Sequence, residues 1–240
     1  MNRMYLIAAA VVIALAGACF WAFNTVLEFE KPAIVVKDDV STIGQARALG
    51  LTVTDGKSGI RTVTVTIGQD GKDVVLHSRT YPGGTAEEVL SVEVNPRGRG
   101  LKDGPATITV SAEDHSWLKN RETLTVETTI DTVPPQIALI STAHNVNAGG
   151  SGVAVYRVSE EVTMTGVRMG DRFFRGYPGE IQGRPCHVVY FAVPTTAARG
   201  GLKILITARD RAGNESSAPV PHLVREKKFK SDKITISRAF

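Results

Sequence analysis

The residues able to do chemistry are few and scattered. Histidines stand at His77, His115, His144, His187 and His222. Zinc hydrolysis needs clustered imidazole and carboxylate ligands around an open coordination position. No His-x-His pair, no His-x-x-x-Asp spacing and no His-Glu-x-x-His run occurs, so each histidine reads as a surface or half-buried polar residue. Cys186 adjoins His187, but neighbours on a strand point to opposite faces. Cys186 therefore reads as a small hydrophobe rather than a nucleophile. Ser151 lies in Gly149-Gly150-Ser151-Gly152 with no helix behind it to hold a phosphate, and reads as loop. Glu160, Glu161 and Asp171 would work as acid and base only through tertiary contacts that the sequence does not reveal. No catalytic, cofactor-binding or metal-binding residue is expected on these grounds, and no cofactor.

Asp210-Arg211-Ala212-Gly213-Asn214 is the most structured polar run. Asp210 and Asn214 can bond backbone amides within a loop, and Gly213 permits positive φ. The functional alternative is calcium, which takes carboxylate and amide oxygens but needs more of them than this run supplies. A structural turn is the expectation here, and equally at Asp55 near Ser58 and at Asp114.

The elements that must carry these residues have a period of two. Val63, Val65 and Ile67 alternate with threonines; Leu90, Val92 and Val94 alternate with Ser91 and Glu93; Ile108, Val110 and Ala112 alternate with Thr107, Thr109 and Ser111. Such alternation predicts strands with one buried and one wet face. Turn signals separate them, at Asp55-Gly56, Gln69-Asp70-Gly71, Pro82-Gly83-Gly84 and Asp103-Gly104-Pro105. Strands are also expected over 137–141, 153–158, 161–167, 187–193 and 202–208. Short strands at this spacing predict an all-β sandwich.

Asp131-Thr132-Val133-Pro134-Pro135 interrupts the pattern, because two prolines cannot both serve a sheet ladder. The halves on either side resemble each other at an offset of about one immunoglobulin-like sandwich, roughly 100 residues. Pro32-Ala33-Ile34-Val35-Val36 matches Pro135-Gln136-Ile137-Ala138-Leu139. Ser58-Gly59-Ile60 matches Ser151-Gly152-Val153. The Asp114 to Asn120 segment matches Asp210 to Asn214, a turn that resembles one found in bacterial immunoglobulin-like modules. The expected architecture is thus two tandem immunoglobulin-like β-sandwiches, at 28–130 and 131–226, with a basic C-terminal segment or linker at 227–240.

An apolar segment precedes them. Residues 4–23 carry no charge, and a bilayer core of about 30 Å needs roughly 20 helical residues. Phe20, Trp21 and Phe23 suit a membrane edge, and Arg3 should stay cytoplasmic. Residues 1–27 are therefore expected to be a signal-anchor transmembrane helix, with the bulk of the chain on the far side. Cleavage after Ala16-Gly17-Ala18 and lipidation of Cys19 are the alternatives. Of the two cysteines only Cys186 lies in the exported part, so no intramolecular disulfide forms there, which suits a bacterial envelope. The net charge of +4 is spread out except between Arg225 and Lys233. That basic stretch suits an anionic lipid or acidic wall polymer, or a plain solvated strand and linker. Nucleic acid is not an expected partner.

From Asp131 onward the chain resembles a more particular family. The run continues with His144-Asn145-Val146-Asn147, Val155-Tyr156-Arg157-Val158-Ser159-Glu160-Glu161 and Gly170-Asp171-Arg172-Phe173-Phe174. It goes on through Gly176-Tyr177-Pro178, Ala208 to Asn214, and Lys227-Lys228-Phe229-Lys230-Ser231-Asp232-Lys233-Ile234. This is similar to the N-terminal, non-catalytic region of membrane-anchored lysostaphin-type zinc metalloendopeptidases of Gram-negative bacteria. The resemblance implies peptidoglycan peptide hydrolysis in the periplasm by a zinc domain with His-x-x-x-Asp and His-x-His motifs. Neither motif occurs here, so no catalytic residue carries over. What the resemblance implies for this chain is a non-catalytic accessory, spacer or regulatory region, tethered through residues 4–23 to the inner membrane. Peptidoglycan or a cell-wall hydrolase domain would be its partner. A fragment of a longer peptidase, a split member and a stand-alone relative all fit. The alternative is an envelope adhesion or scaffold protein. The loop aromatics Tyr156, Phe173, Phe174 and Tyr177 are expected to be core or hairpin plugs.

Overall fold

A computed structural model describes residues 10–20, 28–142, 144–196, 201–230 and 232–234. The chain divides into two compact units, Met1–Thr132 and Val133–Phe240. Apart from a helical stretch at residues 10–20 and one short 3-10 turn, regular structure among the described residues is β. The side chains of 10–20 are exposed. No helix among the described residues is long and apolar enough to cross a membrane. The expected span at 4–23 runs past this stretch on both sides, and residues 4–9 and 21–23 lie outside the described residues.

The first unit has eight strands: β1 (Ala33–Val36), β2 (Thr42–Ile43), β3 (Arg47–Thr54), β4 (Ile60–Gln69), β5 (Lys72–Thr80), β6 (Glu87–Val94), β7 (Gly104–Asp114) and β8 (Arg121–Ile130). They form two sheets, ordered β1-β3-β6 and β2-β8-β7-β4-β5. Period-two alternation sends Leu49, Leu51 and Val53 of β3 and Leu90, Val92 and Val94 of β6 inward. There they share one core with Val63, Val65 and Ile67 of β4 and Ile108, Val110 and Ala112 of β7. The β4–β5 turn takes positive φ at both Asp70 (52°) and Gly71 (75°). That geometry matches the twist of the flanking strands and sets the register Gln69↔Lys72.

The second unit has ten strands: β9 (Ile137–Leu139), β10 (His144–Asn147), β11 (Ser151–Val158), β12 (Met164–Met169), β13 (Arg172–Arg175), β14 (Tyr177–Ile181), β15 (Arg184–Ala192), β16 (Leu205–Arg209), β17 (Glu215–Pro219) and β18 (His222–Arg225). Sheets β14-β15-β11-β9 and β13-β12-β16-β17 enclose a core of Val146, Ala154, Tyr156, Val167, Val189, Phe191, Ile204 and Ile206. Both units have the strand order of an immunoglobulin-like sandwich. Both also pair an early strand with a late one in parallel, β2 with β8 and β10 with β18.

Two expectations need correction. Gly149-Gly150-Ser151-Gly152 is loop only in its first half: Gly149 and Gly150 lie in the turn, whereas Ser151 opens β11 and pairs with Ala192. Nor are the two Ser-Gly pairs equivalent. Ser58-Gly59 lies in the loop before β4, with Gly59 at φ 85°. Gly152 lies within β11, where a Cβ would run into the Phe191 ring. One glycine serves a left-handed turn and the other serves packing. The proline-led strands β1 and β9 do correspond, as do the turns at Asp114 and Asp210.

Candidate functional site

The polar groups concentrate at one end of the first unit, where the β3–β4 and β7–β8 loops meet. The His115 N–H donates to Gly59 O across them (2.9 Å). Asp55 begins the first loop and turns its carboxylate back into it. Its Oδ1 accepts the backbone N–H groups of Lys57 (3.1 Å) and Gly59 (3.0 Å). Asp114 ends β7 and does the same in the second loop. Its Oδ1 accepts Ser116 N–H (3.1 Å) and the Ser116 hydroxyl (2.7 Å), and its Oδ2 accepts the Asn120 amide (2.9 Å). Glu28 arrives from the N-terminal side, and its Oε2 accepts Ser58 N–H (3.1 Å).

All three carboxylates are buried, Glu28 and Asp55 at 6% exposure and Asp114 at 0%. One oxygen from each lies within 4.8 Å of the others. Asn120 reinforces the arrangement: its amide nitrogen is within 3.1 Å of Glu28 O, Glu30 O, Asp114 Oδ2 and Ser116 Oγ. An amide has two hydrogens to give, so these oxygens outnumber its donors. Asp55 and Asp114 stood out in the sequence as turn residues. Glu28 did not, because it contacts a loop 30 residues away and belongs to no local pattern.

The second unit repeats the Asp–Asn turn. Asp210 Oδ1 accepts Asn214 N–H and Oδ2 accepts the Asn214 amide, both at 2.8 Å. Gly213 supplies φ 89°, the part that Lys119 (φ 51°) plays in the first unit. Asp171 sits exposed at the β12–β13 turn, and Glu161 forms an exposed ion pair with Arg211 (3.3 Å).

Three of the histidines are committed locally. His115 Nε2 faces Tyr81 O, and His144 faces Pro221 O and Ser141 Oγ. Both ring nitrogens of His222 face carbonyl oxygens, of Val220 and Leu202. His77 lies on β5. His187 stacks on Tyr156 at 5.6 Å, and burial pushes its pKa below the ordinary histidine value. Cys186 is buried. In the basic segment, Lys227 lies over the Phe229 ring (5.7 Å). That ring packs where a Cβ on Gly149 would stand.

Two surfaces remain. A cleft of about 720 Å³ at the β4–β5 turn is lined by polar residues such as Thr107, Thr109, Gln69, Asp73 and Glu127, with no aromatic ring. The outer face of the β14-β15-β11 sheet exposes Tyr177 (60%), Tyr190 (72%) and Val153. Tyr190 is directly opposite Val153. Tyr177 is opposite Val188, two residues from Tyr190 on the same face. Of the four aromatics singled out in the sequence, Tyr156 is core and Phe174 packs against it. Phe173 is partly buried beneath Arg168, and Tyr177 is exposed.

No family model matches the chain, and no curated protein matches it. Among solved structures the chain is similar to the fibronectin(III)-like modules of Clostridium thermocellum CbhA. The identity is 10%, with 85% of this chain and 100% of that one covered, at a TM-score of 0.47. It is also similar to SGBP-B of the Bacteroides ovatus mixed-linkage glucan utilization locus, in complex with a mixed-linkage heptasaccharide. Here identity is 20%, coverage 81% and 48%, and the TM-score 0.27. A third likeness is to the ICAM-5 D1–D4 ectodomain fragment, at 12% identity, coverage of 80% and 54%, and a TM-score of 0.30. The chain spans about half the length of the latter two.

Proposed function

We propose that this chain is a membrane-tethered periplasmic spacer or accessory region of a peptidoglycan endopeptidase, without catalysis of its own. Its two units are tandem immunoglobulin-like sandwiches that hold a wall-facing surface away from an inner-membrane anchor at residues 4–23. The observation that carries the reading is the serial build: each unit closes its own core from its own strands, as a spacer element requires. The resemblance of residues 131–234 to the non-catalytic region of lysostaphin-type enzymes supplies the wall context. Tyr177 and Tyr190 supply a surface, since exposed tyrosines on a rigid sheet offer flat apolar faces with a polar rim.

The test is co-sedimentation of the purified chain with peptidoglycan sacculi, beside crosslinking in intact cells. Tyr177→Ala with Tyr190→Ala should weaken sedimentation about five- to thirtyfold, from two ring contacts of roughly 0.5–1 kcal/mol each. A chain that neither sediments with sacculi nor crosslinks to a hydrolase refutes the proposal. An inactive alkaline phosphatase fused after Phe240 refutes the periplasmic placement. The second reading, an envelope adhesion or scaffold protein, gains from Trp117, 78% exposed at the tip of the β7–β8 loop. Crosslinks to other envelope proteins without sacculus binding would favour it.

A further inference from the structure

We propose that Glu28, Asp55 and Asp114 form a calcium site that locks the entering chain onto the first sandwich. Three buried carboxylates converge. Among the described residues no lysine or arginine forms an ion pair with any of them; Lys57 and Lys31 pair instead with Glu30 and Glu122. Buried like charges at this range repel strongly unless something positive stands between them.

A second observation is independent of the clustering. Asp55 Oδ2 is buried and has no hydrogen-bond partner among the described residues, although Oδ1 of the same group has two. The Ser58 hydroxyl, whose backbone N–H binds Glu28, is likewise buried without a partner among them. A buried carboxylate oxygen without a donor is one that a cation can satisfy.

The chemistry of the donors selects the ion. All are oxygens, mostly anionic, with no imidazole or thiolate, which suits a hard cation. Calcium tolerates irregular oxygen geometry, whereas magnesium demands a near-ideal octahedron and keeps most of its waters. Three carboxylates with water completing the shell correspond to the weak sites of extracellular modules, with a Kd of about 0.1–1 mM. The ligands come from three separate segments. Binding therefore ties residue 28, and the strand that follows it, to both loops at once.

The test uses the full chain, freed of metal with chelator and melted with and without calcium. Asp55→Asn is the informative variant. Its remaining oxygen can still accept the Lys57 and Gly59 N–H groups, while an amide nitrogen replaces the bare Oδ2. About 10 mM calcium should raise the melting temperature of the native chain by about 5 °C or more, and that of D55N by less than about 1 °C. In chelator, D55N should melt at or above the native temperature, because a buried like charge is gone. Equilibrium dialysis should find one bound ion fewer in D55N. No calcium-induced rise in the native chain overturns the proposal. So does an equal rise in D55N, or an equal rise with magnesium. Should D55N fail to fold, Glu28→Gln makes the same comparison under the same criteria.

Discussion

Tyr156 anchors the second core, and its hydroxyl allows a sharp test of how that core is held. The side chain is fully buried, and its Oη lies 2.9 Å from Thr165 Oγ1. The Thr165 hydroxyl is itself 2.9 Å from Thr207 O and donates to it. Thr165 has one hydrogen to give, so the Tyr156 hydroxyl must be the donor in the shared bond. The two partners then differ in cost. Tyr156→Phe removes a donor and leaves no buried hydrogen stranded; the loss should be about 1 kcal/mol. Thr165→Val leaves the Tyr156 O–H buried with no acceptor and should cost about 2–3 kcal/mol. In the double variant no hydroxyl is stranded, so its cost should fall below the sum of the two single costs. For a unit of this size, 1 kcal/mol corresponds to roughly 4–8 °C in melting temperature. Urea unfolding followed by circular dichroism measures all three. The donor assignment is wrong if Tyr156→Phe proves costlier than Thr165→Val, or if the costs add.

Gly166→Ala should destabilise the second unit by about 3 kcal/mol. Its Cβ would strike Phe174 O and stand 2.8 Å from Phe173 Cζ, and an unchanged denaturation midpoint would disprove that close approach. Burial depresses the His187 pKa, so the folded unit holds the neutral ring while the unfolded chain takes up a proton near pH 6.5. Its contribution is complete above that pH and lost as pH falls below it. His187→Phe, which keeps the stack on Tyr156, should flatten the fall in melting temperature between about pH 7 and 5; an unaltered slope would place the titration elsewhere.

Much of the sandwich was legible because burial in a sheet imposes a period of two, and that period is local. Val63, Val65 and Ile67 announced their face without reference to a partner. Strand β14 was not legible, because Tyr177-Pro178-Gly179 pairs two residues that disfavour strands. Such a segment survives as an edge strand, where it serves a single neighbour, β15. Nor was β18, whose parallel partner β10 lies far back in the chain. The Ser58-Gly59 and Ser151-Gly152 match was misleading because a dipeptide does not say whether its glycine relieves a turn or a contact.

The candidate cation site divides the same way. Asp55 and Asp114 were visible as turn formers, since each bonds backbone within a few residues of itself. That chemistry is written locally, as is the uncharged run at 4–23 on which the anchor reading rests. Their convergence on Glu28 is not. It requires two loops and the entering chain to meet at one end of a sandwich, which packing of the core decides. The bare Oδ2 of Asp55 exists only once burial has removed the water that would otherwise satisfy it. Residue types and periodicity could thus establish the elements and their faces. Only the tertiary structure brings separated charges within reach of a single ion.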